Sequence, residues 1–484
     1  MIWKLFRPGD LVLREDEIGN LWLFVLIQAT YSSIVPRNSH TWVGEEKKEA
    51  NFKTWSLRWN EANGCLERKT TFFRCTKFSG QQPIKTLPVY PIRYQEDIKG
   101  ENTEQFLAKR GRKWWELIAG PAICQQHSGL AFSKEGRRIN EGGEKSRVDG
   151  RVVIGDKWKT PANLDFIFGL EDNNIHLVVR ESERELFVSD LREPYQWDNL
   201  PISTALTDEQ AMLCPPVVDC HDLRSKKRLT VSIVNLQPVK WNQDALSQLV
   251  LDEKKKKMLE GLVHHHTNRH RRNEKGDLIA GKGQSLVILL YGPPGVGKTL
   301  TAESIAEAVR KPLVAMSIGE MVWDETQLQE RLQTEFQRAI DWDAVLLLDE
   351  ADVVLEARSF EDSRIQIGIG FKSMTSDIRA KVWTRLLTLN GRDEMIGPEA
   401  LRKVQTELSK YELNGRQIRN ILNVAEGLAF QEDRQKARLK YSHIKEATKA
   451  AAEFQKMLEE SKSMMKLEQS VWAPYKDGDD DSIF

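Results

Sequence analysis

The chain has 484 residues, 40% of them hydrophobic and 29% charged, and its 71 basic and 71 acidic side chains balance to a net charge of zero. This length corresponds to about three domains. A neutral chain has no global field to steer it to nucleic acid or to an acidic membrane surface, and the longest apolar run near the N-terminus, Leu21 to Ile27, is too short to span a bilayer.

Residues 1–100 read as a β-rich domain. Leu21-Trp-Leu-Phe-Val-Leu-Ile27 has the length and continuity of a buried strand, and Phe52-Lys-Thr-Trp-Ser-Leu-Arg-Trp59 alternates in part, as a half-exposed strand does. Asn63-Gly64 supplies a hairpin turn into Thr70-Thr-Phe-Phe-Arg-Cys75. The aromatic residues here form either a binding surface or a β-core, and the core is the expectation. Residues 101–238 form a second β-containing block. It has a helix around Phe106 to Ala119, a charged surface loop from Lys134 to Gly150, and a turn at Cys214-Pro-Pro216. Its strand candidates are Arg151–Ile154, His176–Val179 and Thr230–Asn235. Residues 239–276 are a helical linker, with a helix over Trp241 to Val263 whose Lys254 to Lys257 form a solvated face. His264-His-His266 and Arg269-His-Arg-Arg272 follow in a polar connector.

The most informative stretch is Ser285-Leu-Val-Ile-Leu-Leu-Tyr-Gly-Pro-Pro-Gly-Val-Gly-Lys-Thr299. An apolar run long enough for one strand leads into a glycine loop, and a helix-favouring run, Leu300 to Arg310, follows. Gly292, Pro293, Pro294, Gly295, Val296, Gly297, Lys298 and Thr299 fit G-x-x-x-x-G-K-[ST] without a mismatch. Glycines let successive backbone N–H groups face one anion, and the helix start at Leu300 adds unpaired N–H groups and partial positive charge. Lys298 is placed to reach the β- and γ-phosphates of ATP, and Thr299 to hold Mg²⁺ through its hydroxyl. Pro312–Ser317 and Ala344–Leu348 are further strands, with an amphipathic helix over Thr326 to Trp342 between them. This alternation argues an α/β fold with a parallel sheet, a P-loop NTPase core over 277–395. Asp349 emerges at the carboxyl end of its strand, where it can hold Mg²⁺ through water. Glu350 is placed to orient or deprotonate a water aimed at the γ-phosphate. Residues 396–455 are helical, start at Gly397-Pro398, and have the size and place of a lid. Residues 456–484 read as a disordered acidic tail.

Gly-Pro-Pro-Gly-x-Gly-Lys-Thr followed by Leu-Leu-Leu-Asp-Glu-Ala-Asp resembles the AAA+ family of ATPases. More narrowly, the chain resembles fungal AAA ATPases with a β-rich N-terminal domain. The resembling pieces include Leu5-Phe-Arg-Pro-Gly9, Leu87–Tyr94, Ala280-Gly-Lys-Gly283 and Leu413-Asn-Gly-Arg-Gln-Ile418. The resemblance implies that Arg364, in Ser363-Arg364-Ile365, is an arginine finger reaching a neighbouring subunit's nucleotide. It implies that Arg416 is the second sensor on a lid helix, and that Asp277, Ile279 and Gly281 line the adenine pocket. Trp323 sits roughly at the family's pore-loop aromatic. The implied assembly is a homo-oligomeric ring, a hexamer in the family, acting on a protein substrate, with no nucleic acid partner and no membrane span.

The chain departs from the family in one place. Thirteen residues separate Glu350 from Arg364, where the resemblance implies a helix and a central apolar strand carrying a polar sensor. Ala351–Ser359 runs straight into Phe360, as though a coding segment had been skipped between Ser359 and Phe360. Each orphaned buried ladder group costs about 1–3 kcal/mol. The expectation is therefore that Ile365–Phe371 moves in to re-pair, or that the nucleotide domain folds poorly, with hydrolysis suffering more than binding. Two readings follow: an ATP-dependent remodelling ATPase, and an ATP-binding interaction protein with little hydrolysis. The five cysteines, Cys65, Cys75, Cys124, Cys214 and Cys220, are odd in number and scattered. With no signal-peptide pattern, they point to a reducing intracellular location, cytoplasmic or nuclear. Cys214, Cys220 and His221 lack a second ligand pair, so packing rather than zinc is expected there.

Overall fold

The computed structural model describes residues 5–34, 37–38, 41–42, 47–76, 78, 80–133, 144–155, 197–272, 286–317, 325–351, 367–389, 392–432, 434 and 438–471. The strand candidate at 176–179 lies outside them. The chain forms two compact units, residues 1–241 with 311–350, and residues 242–310 with 351–484. The stretch 277–395, read above as one block, is thus shared between them.

In the first unit, β1 (Leu11–Glu15), β2 (Leu21–Ile34), a short ribbon of β3 (Arg37–Asn38) and β4 (Thr41–Trp42), β5 (Lys47–Asn60), β6 (Cys65–Thr76) and β7 (Tyr90–Pro91) lead into β8 (Ile123–Ser133) and β9 (Glu144–Ile154). Then come β10 (Leu200–Pro201), β11 (Val217–Asp222), β12 (Arg228–Ser232) and β13 (Leu236–Pro238). One sheet has the order β10-β6-β5-β2-β1-β7; the other is β12-β11-β9-β8-β13, and an added β12–β8 pairing closes four of its strands into a ring. Closure removes exposed strand edges. The region expected to be a loop up to Gly150 is strand from Glu144, because β9 pairs along the whole length of β8, Ser133 with Glu144 through Ile123 with Ile154.

Side chains alternate across the first sheet with period two. Leu23 and Val25 join one core cluster with Trp55 and Leu57, whereas Trp22, Phe24 and Leu26 join another with Phe52 and Phe73. Both faces are covered, which is why Leu21–Ile27 reads as an unbroken apolar run. Trp22, Phe24, Phe52, Trp55, Phe73 and Tyr90 are core, whereas Phe72 and Tyr94 are exposed. The helix Thr103–Ala119 starts on Asn102, whose side chain accepts from Glu104 N and Gln105 N. It buries Trp114 and Trp115, whose indole N–H groups donate to Val217 O at 3.1 Å and Thr204 O at 3.0 Å. Two large rings thus enter the core without leaving a polar atom unpaired.

The four parallel strands are β14 (Ile288–Tyr291), β15 (Leu313–Ser317), β16 (Val345–Asp349) and β17 (Ile367–Gly370). They form two separate two-stranded sheets. β15 pairs with β16 in the first unit, and β14 with β17 in the second. The expected strand at Ile365–Phe371 therefore pairs with the P-loop strand, and among the described residues no strand joins it to β16. Parallel strands with both faces covered bury their side chains; here every residue of β16 is only half-buried.

In the second unit, the helix expected from Trp241 starts at Glu253, where Asp252 Oδ1 accepts from Lys254 N at 3.0 Å and Lys255 N at 3.3 Å. Residues 243–249 are turns instead, although Leu246 and Leu249 are still buried. The lysine run is not a uniformly solvated face. Lys256 is 8% exposed and donates to Ser247 O at 2.9 Å, and Lys255 Nζ donates to Gly370 O at the end of β17. The triple histidine and the Arg269–Arg272 stretch belong to the same helix, which runs to Arg272.

The lid is a helical bundle that begins earlier than expected. Trp383 and Leu387 of the helix Ser376–Thr388 share one core with Val404, Leu408, Ile418, Leu422 and Ile444. Gly397, at φ 76° and ψ 164°, interrupts the helix Arg392–Thr406, so Pro398 opens its second half rather than the lid. The helices Gly415–Glu432 and Tyr441–Val471 complete it. The last runs well past residue 456, so the region expected to be disordered shortens; Lys456, Met457, Leu458, Glu459 and Glu460 are all good helix formers.

Gly111 packs so closely on the backbone that an added Cβ would lie 1.7 Å from Ala211 O. Gly111→Ala is therefore expected to destabilise the first unit by about 1–3 kcal/mol or more, read as a lowered thermal midpoint.

Candidate functional site

β14 ends at Tyr291 and the chain turns into the glycine loop. Gly292 has φ 139°, and an added Cβ would stand 2.3 Å from Phe371 O. Gly295 has φ 73°, and its Cβ would stand 2.6 Å from Asn414 Oδ1. Both the left-handed backbone and the close approach require glycine at these two positions. The helix Lys298–Val309 begins on Gly297, which offers no side chain to cap it. The first N–H groups of a helix have no intrahelical acceptor and favour an anion. Lys298 is folded across the loop, with Nζ donating to Gly292 O at 2.8 Å and Pro293 O at 2.9 Å. Pro293, Val296 and Thr299 are half-buried around it, and Pro294 and Leu300 are exposed. A cradle of left-handed glycines, a helix start with no side-chain cap and an ammonium on two loop carbonyls fits a phosphate chain.

The acidic pair lies in the first unit. Ser317 and Asp349 are register partners at the ends of β15 and β16. Glu350 leaves the strand in the left-handed region, at φ 57°, and its N–H donates to Asp349 Oδ1 at 3.1 Å. Ser317 Oγ donates to Glu350 Oε2 at 2.9 Å. A non-glycine residue held at positive φ stores strain, and such residues concentrate at functional sites. Thr299 belongs to the second unit and Asp349 to the first. The hydroxyl and the carboxylate are the hard oxygen donors that Mg²⁺ prefers.

The lid contributes to the loop directly. Gly415 N–H, at the start of its helix, donates to Gly295 O at 3.0 Å. Arg416 follows in the first turn and is exposed. Burial raises the Glu303 carboxyl above its usual range, and Arg419, one turn beyond Arg416, opposes that shift. Arg419 is thus the lid arginine whose charge reaches the helix after the loop. Asp277, Ile279, Gly281, Trp323 and Arg364 lie outside the described residues. No cluster of three or more His, Cys, Asp or Glu suited to a metal occurs among the described residues, and Cys214 and Cys220 are buried free thiols.

Sequence reading missed Ser317, Asn414, Gln417 and Arg419. The Asn414-x-x-Gln417 spacing before an apolar helix carries a capping-box signal that would have found two of them. Ser317 has no local signal, since its role depends on which strand β15 pairs with. Gly292→Ala is expected to lower the thermal midpoint of the second unit and to cost about 1–3 kcal/mol, because its Cβ meets a backbone carbonyl that no rotamer can move.

Residues 288–376 match the AAA family, "ATPase family associated with various cellular activities"; residues 374–465 match the fungal AAA+ ATPase lid domain; residues 1–96 match a domain of unknown function, DUF7025. The Lon protease of Parabacteroides distasonis is 37% identical over 87 residues, which cover 16% of this chain and 10% of that protein. The Lon protease of Chloroflexus aurantiacus is 34% identical over 122 residues, 22% of this chain and 15% of that protein. The matched part thus spans 15% or less of either relative. The crystal structure of the FIGL-1 AAA domain superposes with a TM-score of 0.31 and 16% identity, over 44% of this chain and 85% of that one. Two adjoining family matches, running from 288 to 465, thus identify an AAA+ ATPase domain with its lid in this chain, behind a β-rich region.

Proposed function

We propose that this chain binds Mg-ATP at the loop 292–299 and hydrolyses it, coupling the reaction to remodelling of a protein partner. The phosphate loop carries this reading: Gly292, Gly295 and Gly297 all have positive φ, the helix after them starts uncapped, and Lys298 spans the loop. On binding, Lys298 exchanges the Gly292 and Pro293 carbonyls for the β- and γ-phosphates. The N–H groups from Gly295 to Leu300 surround the same oxygens. Thr299 and Asp349 are the residues that would hold Mg²⁺, which when bound neutralises charge on the β- and γ-phosphates.

Glu350 is the base. It takes the proton of a water attacking the γ-phosphorus, the bond from that phosphorus to the β–γ bridging oxygen breaks, and ADP and orthophosphate leave. Ser317 holds the Glu350 carboxylate until the reaction needs it. Arg364 and Arg416 act on the developing charge, Arg364 from a neighbouring copy in a ring and Arg416 from the lid. Asp277, Ile279 and Gly281 contact the adenine. The β-rich N-terminal region recruits the target.

A second reading, an ATP-binding interaction protein with little hydrolysis, is favoured by the division of the parallel strands into two separate pairs. The loop strand and the acidic strand then lack a common ladder among the described residues, so binding is retained more fully than catalysis.

Lys298→Ala is expected to abolish binding of a fluorescent ATP analogue; undiminished affinity overturns the phosphate-loop assignment. Glu350→Gln is expected to retain the analogue and to lower steady-state phosphate release at least about 100-fold. Equal, near-zero release by wild type and Glu350→Gln, with nucleotide bound to both, selects the second reading.

A further inference from the structure

One glutamine joins the phosphate loop to the far end of the lid. Gly415 N–H reaches the loop at Gly295 O, 3.0 Å away. The residue before it, Asn414, is gripped twice by Gln417: Asn414 N–H donates to Gln417 Oε1 at 2.8 Å, and Gln417 N–H donates to Asn414 Oδ1 at 3.0 Å. The other end of the same amide, Gln417 Nε2, donates to Gln455 Oε1 on the helix Tyr441–Val471 at 3.0 Å. A side-chain amide has one acceptor end and one donor end. Here the acceptor faces the start of the lid helix and the donor faces the C-terminal helix. Turning the amide over would bring donor to donor at Asn414, whose backbone N–H is fixed, so that contact sets the orientation and leaves the donor end for Gln455. All these residues belong to one compact unit.

We infer that Gln417 is a positioning residue that couples nucleotide occupancy of the loop 292–299 to the seating of the C-terminal helix. The inference rests on the reading that this loop binds ATP. When Lys298 leaves the carbonyls of Gly292 and Pro293 for a phosphate, those two loop carbonyls lose their donor. The Gly415 amide then holds the loop through Gly295, and its placement depends on the Gln417 amide. Linkage makes the effect reciprocal: whatever seats the C-terminal helix tightens the loop, and nucleotide in the loop tightens the helix.

The test is a titration of the full chain with a fluorescent ATP analogue and magnesium, paired with hydrogen exchange over residues 441–458, with and without the analogue. Wild type is expected to slow exchange in that segment on binding. Gln417→Glu keeps the acceptor for Asn414 N–H but cannot donate to Gln455. It is expected to weaken binding about fivefold, the equivalent of one net hydrogen bond, and to lose the exchange response. Gln455→Ala should do the same. Gln455→Glu keeps an acceptor for Gln417 Nε2 and should retain both the affinity and the response, which a merely structural role would not require. Matching circular dichroism and thermal midpoints identify the variants that are folded. Wild-type affinity and an intact exchange response in Gln417→Glu and Gln455→Ala overturn the coupling alone. A wild-type chain that binds no analogue overturns the ATP reading and the coupling with it.

Discussion

The glycine loop 292–299 is positioned by main chain. Four parallel register pairs, Ile288 with Ile367 through Tyr291 with Gly370, stop one residue short of Gly292. Phe371 N–H extends the ladder by donating to Tyr291 O at 2.8 Å. That bond carries the Phe371 carbonyl against Gly292, and Lys255 secures the Gly370 carbonyl from the helix beneath. The cradle therefore depends on two short strands and their backbone bonds. It persists although among the described residues these strands form a sheet of only two.

The acidic pair rests on the second ladder, β15 with β16, and on a different part of the core. Val314 and Trp342 pack with Val153 in the first unit, so this piece of the AAA domain is anchored on the five-stranded sheet. The glycine loop and the acidic pair therefore have separate structural supports. Changes that loosen β16 act on Asp349, Glu350 and the Ser317 contact, and leave the β14–β17 ladder as it is. The exposed apolar side chains on the helix Glu325–Asp341 belong to the same picture: Phe336 and Ile340 lie one turn apart and are 50% and 71% exposed.

The lid meets the loop through backbone and amide groups rather than through the arginine that the motif singles out. Gly415 lacks a side chain and lies against Gly295 O, with its ideal Cβ position 3.2 Å from that oxygen. Arg416 and Arg419 are both exposed, and the Arg419 charge opposes the upward shift that burial gives the Glu303 carboxyl on the helix that follows the loop. Residues three apart on a helix share a face, so the two arginines present one cationic edge.

Local sequence determined a good deal. The Gly292–Thr299 loop, the strand before it and the helix after it were legible because each needs particular residues: glycines where φ is positive, apolar residues where the strand is buried, helix formers beyond. The hairpin at Asn63-Gly64 and the helix ending at Ala119 were legible for the same reason, as was the acidic pair at the end of an apolar strand. Tertiary structure decided the rest, because it concerns partners distant in sequence. That Leu21–Ile27 is apolar throughout follows from a sheet covered on both faces. That Lys255 and Lys256 turn inward follows from carbonyls at Gly370 and Ser247. Which strand pairs with which, and hence that Ser317 reaches Glu350 and that Gln417 ties Asn414 to Gln455, is set by long-range hydrogen bonds, which leave no periodicity in the residues that make them.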